Sequence, residues 1–414
     1  MDFNDTPEEA AFRNEARTWL EANAKLKNPD EPGEDLLGER TSPEIIKASQ
    51  AWQKQKADAD WACITWPKEF GGREATAIQS VIWGQEEGKF QTPPNIFGIG
   101  LGMCGPTLLT HGTDEQKQRW LPELLSGEKI WCQLFSEPAA GSDLAGLRTT
   151  AVKDGDEWIV NGQKIWTTGA HFCDWGILVV RTDPNVAKHA GLSYFVVDMH
   201  SPGVEIRPIV QINGGKGFNE VFFTDVRIPD GNRLSEVGNG WAVAITTLMN
   251  ERASIGGGGG GGGVSDLLEM AENTDLDGRP AIEDSAVREK IADLYTRSRG
   301  VQYTGYRTLT ALSRGTTPGP ESSLGKLVGG ALAQDMAAFG IELAGVTGAT
   351  LDPEITPGDS IWQDMYLSIP GLRIAGGTDE VLRNIIAERV LGLPPETRAD
   401  KGVAFKDVPI GPAN

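Results

Sequence analysis

The sequence predicts an α+β chain in three successive parts: helical, then β, then helical again. Three observations predict it. Up to about residue 126, apolar residues recur at helical spacing behind N-capping motifs. From Lys129 to Pro229, short β-branched and aromatic runs alternate with Gly, Asp and Asn turns. From Gly240 onward the helical period returns. A chain of 414 residues is long enough for two or three domains with their own cores.

In the first part, Thr6-Pro7-Glu8-Glu9 is a capping box with proline at the first helical position. Phe12, Ala16, Trp19 and Leu20 then share one face. Residues 24–42 are polar and rich in Pro and Gly, so they read as a loop. A second helix starts at Ser42-Pro43 and carries Ile45, Ile46 and Trp52. Residues 61–72 are irregular around Pro67 and Gly71-Gly72. Thr113-Asp114-Glu115-Gln116 is another capping box, opening a helix that ends near Ser126-Gly127.

In the second part, the runs Trp131–Phe135, Trp175–Val180, Leu192–Val197 and Glu220–Ile228 predict a β-barrel or sandwich of about a hundred residues. In the third, Trp241, Ala244, Leu248, Glu251 and Ile255 fall within about 80° of one another on a helix. Residues 256–263 are eight consecutive glycines, each costing ~1 kcal/mol against alanine inside a helix. Such a run is either enforced by packing or a break. Residues 272–285 read as a loop, followed by helices over about 286–314, 320–346 and 378–391. The tail beyond Pro394 is predicted to be poorly ordered or loosely docked.

The formal net charge of -20 argues against nucleic acid and anionic membranes as partners. Four cysteines without a CxxC pair, and only four histidines, argue against a metal site. The N-terminus lacks the basic start and apolar run of a signal peptide. No stretch approaches the ~20 apolar residues of a membrane span, so a soluble cytoplasmic protein is the expectation.

The densest chemistry lies between Trp131 and Thr168. A strand-like run breaks at Ser136-Glu137-Pro138 into the small-residue loop Ala139-Ala140-Gly141-Ser142-Asp143. Such a loop exposes backbone N–H groups and approaches an anion closely. Asp154-Gly155 then signals a hairpin whose returning strand ends in Trp166-Thr167-Thr168. Aromatic surface, backbone donors and hydroxyls together suit a flat cofactor with a phosphate tail. The same residues also suit an ordinary β-turn beside a core tryptophan.

FSEPAAGSD followed by VNGQKIWTT resembles the flavin-binding signature of the acyl-CoA dehydrogenase family. The resemblance runs from Phe12 to about Pro394. It includes WPKEFGG (Trp66–Gly72), HGTDEQKQRWLPELLSGE (His111–Glu128) and GGTDEVLRNIIAERVLG near the end. It implies an N-terminal all-α domain (1–128), a middle β-barrel domain that binds flavin (129–236), a C-terminal four-helix bundle (237–397) and a tail (398–414). It implies FAD as cofactor, an acyl-CoA thioester as substrate and an electron-transfer flavoprotein as acceptor. A homodimer, homotetramer or heterotetramer is the implied assembly. By position in the motifs, Phe135, Ser136, Gly141, Ser142, Trp166 and Thr168 are implied flavin contacts. Gly345, Thr378 and Glu380 match cofactor-side positions of the last part.

In this family a carboxylate takes the α proton while the β hydrogen leaves as hydride to the flavin. Such a base must be dry enough for its pKa to rise toward neutrality, and the thioester oxygen must meet preorganised donors. Most members carry the base immediately before a Gly-Thr pair; here that position is Gly376, of Ala375-Gly376-Gly377-Thr378. A minority, the isovaleryl and long-chain types among them, carry it as a Glu before an Arg on the first bundle helix, which matches Glu251-Arg252. The apolar stripe independently holds Glu251. The pair also suits a surface ion pair or a cap. The resemblance leaves Gly376 its backbone N–H for the thioester oxygen, and Arg252 to order the site. Two departures concern the adenine side: the usual Arg-x-x-Phe spacing is missing from Asn273–Pro280, where Arg279 is the one arginine, and Glu342 stands where glutamine is usual. A carboxylate near a pyrophosphate is unfavourable. Relatives on this fold also include half-site subunits of heteromeric dehydrogenases acting on steroid side chains, and flavin oxidases or monooxygenases.

Overall fold

A computed structural model describes residues 5–28, 42–255, 262–313, 319–352, 354–356, 360–398 and 400–408. These form two compact units, one from residues within 1–27, 41–254 and 396–414, the other from residues within 28–40 and 255–395.

The first unit begins with α1 (Pro7–Asn23), whose capping box joins Thr6 and Glu9. Its face of Phe12, Ala16 and Leu20 is buried. Strand β1 (Lys25–Leu26) comes next, then α2 (Pro43–Asp58) with Ser42 as N-cap, and α3 (Ala77–Glu87). Strand β2 (Phe90–Gln91) pairs with β1. Then come α4 (Gly105–His111) and α5 (Asp114–Ser126), the latter opened by Thr113 and closed by left-handed Gly127. Trp19, Trp52, Trp61 and Trp83 gather between α1, α2 and α3.

The β part contains β3 (Trp131–Leu134), β4 (Thr150–Asp154), β5 (Glu157–Thr168), β6 (Trp175–Arg181), β7 (Leu192–Asp198), β8 (Val204–Ile209), β9 (Phe218–Pro229) and β10 (Arg233–Leu234). Their order is β10-β7-β6-β4-β5-β9-β8, with β3 parallel to β6. The two halves of this sheet are joined by one ladder pair, Thr150 with Arg181. Their inner faces share one core, in which Trp158 of β5 stands 5.5 Å from Phe195 of β7. The other face of β3, β6 and β7 packs on Leu108, Trp120, Leu121 and Leu124 of the preceding helices. Burial on both faces explains why β6 and β7 read as unbroken apolar runs. Helix α6 (Gly240–Ile255) returns to this layer through Val243 and Ala244.

The second unit holds α7 (Val264–Asn273), the hairpin β11 (Asp275–Leu276) and β12 (Arg279–Pro280), α8 (Ser285–Ser313), α9 (Ser323–Ala344), α10 (Ile361–Leu372) and α11 (Asp379–Ile385). Leu267, Leu294, Leu332, Phe339 and Trp362 build its core.

Three expectations need correction, and one left open, the glycine run, is answered in part. The stretch read as a loop over 272–285 includes the end of α7, a short hairpin and a 3-10 turn, and α7 and α10 carried no sequence forecast. The glycine run does not end as helix: Gly262 has φ +89°, and it and Gly263 donate to Asp266 at 2.7 Å, capping α7. Residues 256–261 lie outside the described residues. Residues 400–408 of the tail are docked, not loose. Phe405 N–H donates to Val186 O at 2.8 Å, and its ring lies 3.3 Å beneath the Arg181 guanidinium. One helix among the described residues, Ser323–Ala349, is long and apolar enough to cross a membrane, and 33% of its apolar window is buried within the chain. It packs against α7, α8, α10 and α11, which makes it the central helix of its unit.

Candidate active site

Helix α6 is fixed from its first residue. Gly240 lies so close to β7 that a Cβ there would meet the Ser193 backbone at 2.6 Å. Two turns on, Thr247 is buried and shares hydrogen bonds with Thr107 of α4 (2.9 Å) and the Tyr194 hydroxyl of β7 (2.8 Å). Burial pushes the Tyr194 phenol well above its ordinary range, so it stays a neutral partner. His111 and Thr246 add a second tie at 2.8 Å. Glu251 follows Thr247 by four residues and so shares its face. It is half-buried, and its carboxylate accepts a 3.1 Å hydrogen bond from Gln133 Nε2 of β3. The backbone of Arg252 continues α6, while its side chain lies outside the described residues.

Gln133 carries no sequence forecast. A signal for it exists, since it alternates with Trp131 and Phe135 as a lone polar group on an inward row. Its Oε1 is buried and has no hydrogen-bond partner among the described residues.

The loop after β3 is held by buried charge. Glu137 and Ala140 exchange backbone hydrogen bonds at 3.0 Å. The Glu137 carboxylate accepts from Arg148 N–H (2.6 Å), Thr149 N–H (2.9 Å) and Lys164 Nζ (2.8 Å). Lys164 is fully buried and also donates to the Phe135 carbonyl at 3.0 Å. Burial alone would raise the Glu137 pKa, but Lys164 and the backbone donors outweigh it and hold the carboxyl below its usual value. Arg181 donates to the carbonyls of Ala145, Leu147 and Lys188, and burial pulls its guanidinium down to about 10. Lys188 ties Asp143 (2.8 Å) to Asp400 of the docked tail. Lys164, Arg181 and Lys188 carried no sequence forecast, because a buried Lys or Arg looks the same in sequence as an exposed one.

Strand β5 passes beside the loop, with Ile165 N–H donating to Ser136 O at 2.9 Å. Its register against β9 slips between Lys164 and Thr167, a bulge. Trp166 sits in it at φ +61°, a strained setting for a bulky residue. The bulge turns its indole outward, 56% exposed, edge-on to Phe218 at 5.9 Å. Thr168, Gly141 and Ser142 are exposed, Ser136 is half-buried, and a Cβ at Gly141 would meet nothing within 4 Å. Phe135 could meet a flavin through its backbone alone. Its ring is in the core, edge-on to Tyr194, which leaves only its backbone to face a ligand. An open aromatic face, a small-residue loop with free approach, and nearby hydroxyls fit an isoalloxazine with a phosphate tail. Ser136, Gly141, Ser142, Trp166 and Thr168 are the residues that would hold it.

The remaining expected residues belong to the second unit. Gly376 and Gly377 have φ of +65° and +101°, and Lys326 Nζ donates to the carbonyls of Arg373 (3.1 Å) and Gly377. Burial lowers the Lys326 pKa. Thr378 caps α11 through Val381 N–H, and buried Asp379 pairs with Arg373 at 2.8 Å. Glu380 is exposed, and Gly345 is exposed at φ +59° in the turn after α9. Arg279 is exposed and faces Asp284 at 3.5 Å. No cluster of metal-ligating side chains occurs among the described residues.

Three family models match in order: acyl-CoA dehydrogenase N-terminal domain over residues 6–128, middle domain over 132–226 and C-terminal domain over 238–391. The chain belongs to the acyl-CoA dehydrogenase family, FAD-dependent oxidoreductases. Among its relatives is acyl-CoA dehydrogenase IpdE1 of Mycobacterium tuberculosis, 37% identical over 402 residues, covering 94% of this chain and 98% of the relative. Similar solved structures include the ChsE4-ChsE5 complex of Mycobacterium tuberculosis, with TM-score 0.75 and 28% identity over 96% of this chain and 100% of that one. The Tcur3481-Tcur3483 steroid enzyme has TM-score 0.78 and 26% identity at the same coverage of 96% and 100%.

Proposed function

We propose that the chain dehydrogenates an acyl-CoA thioester to the 2-enoyl-CoA with Glu251 as the base. The observation that carries this reading is a half-buried carboxylate on the inner face of α6, in hydrogen-bond contact with the strand that leads into the cofactor loop. Glycine at position 376, where most of the family places its base, leaves that role open for Glu251. Bound FAD supplies the acceptor for the β hydride. Glu251 takes the α proton, and α6 holds the carboxylate in place through Thr247. The Gly376 N–H would stabilise the thioester oxygen as negative charge develops there. Arg252 would order the site around the base, and Gly345, Thr378 and Glu380 would complete the cofactor's surroundings.

The acyl group we infer is wide and ring-bearing, a reading that the likeness to a steroid-acting relative supports. The test is bleaching of the bound flavin by a thioester panel under anaerobic conditions. Ring-bearing acyl-CoAs should exceed octanoyl- and palmitoyl-CoA in kcat/KM, and bleaching by straight chains alone removes the substrate reading. An electron-transfer flavoprotein is the acceptor we assign. Rapid oxygen consumption by the reduced enzyme would favour an oxidase instead.

A second reading has support of its own. Helix α9 contains a stretch long and apolar enough to cross a membrane, yet only a third of that window is buried within the chain. We infer that another subunit covers it, in a homodimer, homotetramer or a heterotetramer; one relative is itself a two-component complex. With Glu342 in place of the usual glutamine, a half-site subunit that shares its FAD with a different chain is the competing assignment. Native mass and flavin content of the chain purified alone separate the two.

A further inference from the structure

We propose that Gln133 is the positioning residue of the base and serves Glu251 in both of its protonation states, an inference that rests on the reading of Glu251 as base. A catalytic carboxylate changes its hydrogen-bonding character in every turnover. In the step it performs, the α C–H bond breaks and the proton forms an O–H bond with a Glu251 oxygen. The electron pair stays on the thioester, delocalised on to its oxygen. Before that step the carboxylate only accepts hydrogen bonds; after it, the same group carries an O–H that needs an acceptor.

A primary amide meets both demands from one position, because it carries a donor and an acceptor on the same carbon. In the structure Nε2 of Gln133 donates to Glu251 Oε2 at 3.1 Å, the arrangement suited to the anion. Its Oε1 is buried and unpartnered among the described residues. A glutamine with a purely architectural role would satisfy both ends, since a buried acceptor without a partner is costly. Half a turn about the last side-chain bond, a soft and roughly two-fold torsion, exchanges the two ends. Oε1 then accepts from the newly protonated Glu251. A lysine here would serve the anion alone, and a leucine neither state.

The backbone around Gln133 is rigid enough to make this an orienting contact. β3 is paired along its length with β6, Gln133 opposite Ile177. Trp131 and Phe135, two residues to either side, are anchored in the core. On the other partner, the threonine network one turn earlier fixes the height and rotation of α6. The carboxylate therefore meets a donor whose place is set by the sheet.

The test uses the full-length flavin-loaded protein, with any subunit that co-purifies. Gln133→Met keeps the length and loses both polar ends; Gln133→Asn keeps the amide one methylene short; Gln133→Glu offers an acceptor where the anion needs a donor. Single-turnover bleaching is followed with whichever of cyclohexanecarbonyl-, octanoyl- or palmitoyl-CoA bleaches the wild type fastest, and with its α-deuterated form. Gln133→Met should slow bleaching at saturating thioester about 100-fold, the cost of a misplaced reacting group. The half-saturating concentration should change little, and the α-deuterium isotope effect should rise because proton removal becomes the slow step. Gln133→Glu should be slower still. A second readout needs neither flavin nor thioester: a cycle of Gln133→Met, Glu251→Met and the double variant, read by denaturant unfolding. A hydrogen bond to a charged group makes the two changes non-additive by about tenfold in the unfolding constant. Unchanged bleaching in Gln133→Met, or additive unfolding in the cycle, overturns the inference. Wild-type bleaching by Glu251→Gln, or no bleaching of the wild type by any of the thioesters, removes the parent reading and this one with it. An inactive Glu251→Gln beside a fully active Gln133→Met removes only this one.

Discussion

Replacing Lys164 with methionine isolates what holds the cofactor loop. The wild-type ammonium is fully buried and bonded to Glu137 and to the Phe135 carbonyl at 2.8 and 3.0 Å. Methionine fills the same space and leaves the Glu137 carboxylate buried without a cation in contact. Removing one partner of a buried pair costs about 3–5 kcal/mol. Glu137 keeps two backbone donors, at 2.6 and 2.9 Å, which places the cost at the lower end. The expected loss is therefore about 3 kcal/mol, roughly a hundredfold in the unfolding constant. Adding Glu137→Gln removes the stranded charge, so the double variant should be more stable than Lys164→Met alone. The sign of the pH dependence follows from Glu137, whose folded pKa lies below its unfolded value. Its stabilising contribution is present above the unfolded pKa of about 4.3 and is lost as pH falls through the folded one. The gap between wild type and Lys164→Met should accordingly narrow in acid. The assay is denaturant unfolding of the apoprotein by tryptophan fluorescence, with FAD affinity measured alongside and expected to fall. A single variant as stable as the wild type, or a double variant less stable than the single, would refute the reasoning.

Thr247→Val should remove the hydroxyl that links Thr107 to Tyr194 and cost about 1–3 kcal/mol in unfolding experiments. Its kcat should fall with little change in KM, because α6 carries Glu251. Trp166→Ala should leave the fold intact, as the indole is 56% exposed, and weaken FAD by about tenfold, the value of one aromatic contact plus its buried area, in a fluorescence titration. Glu86 is fully buried, and although burial would raise its pKa, Arg17, Lys89 and Arg13 together bring it down to about 2. Stability from that cluster should be present above about pH 4.5 and drain away as pH falls toward 2, a loss that Glu86→Gln should abolish in an acid-unfolding series.

Local chemistry explains which parts of this fold the sequence revealed. Thr6, Ser42 and Thr113 each satisfy orphan donors at a helix start, and all three helices begin where those residues stand. The strands of the β part are bounded by the turns that the Gly, Asp and Asn clusters forecast. Helix α10 stayed hidden because Ile361–Leu372 contains Pro370, a breaker that its C-terminal turn tolerates. The docking of the tail depends on Arg181, a strand residue more than 220 positions away from Phe405, and no local pattern encodes that pairing. In the candidate site, the placement of Glu251 on an inward helical face was legible from its stripe, and that of Trp166 from the end of the hairpin's returning strand. Gln133, Glu137 and Lys164 were not, because their significance lies in which partners the sheet brings to them. The positive φ of Trp166 likewise arises from a bulge that depends on pairing with β9.

The central claim is that Glu251 removes the α proton. It is tested most directly by single-turnover bleaching of FAD in Glu251→Gln, which keeps the size of the side chain and a hydrogen bond to Gln133 but cannot take up a proton. FAD content and acyl-CoA affinity should match the wild type, while the bleaching rate falls by about 10³-fold or more, in the range a lost general base produces. Bleaching at a rate near that of the wild type, in a variant that still carries its full complement of FAD, would contradict the claim and send the search for the base elsewhere in the chain or to a partner subunit.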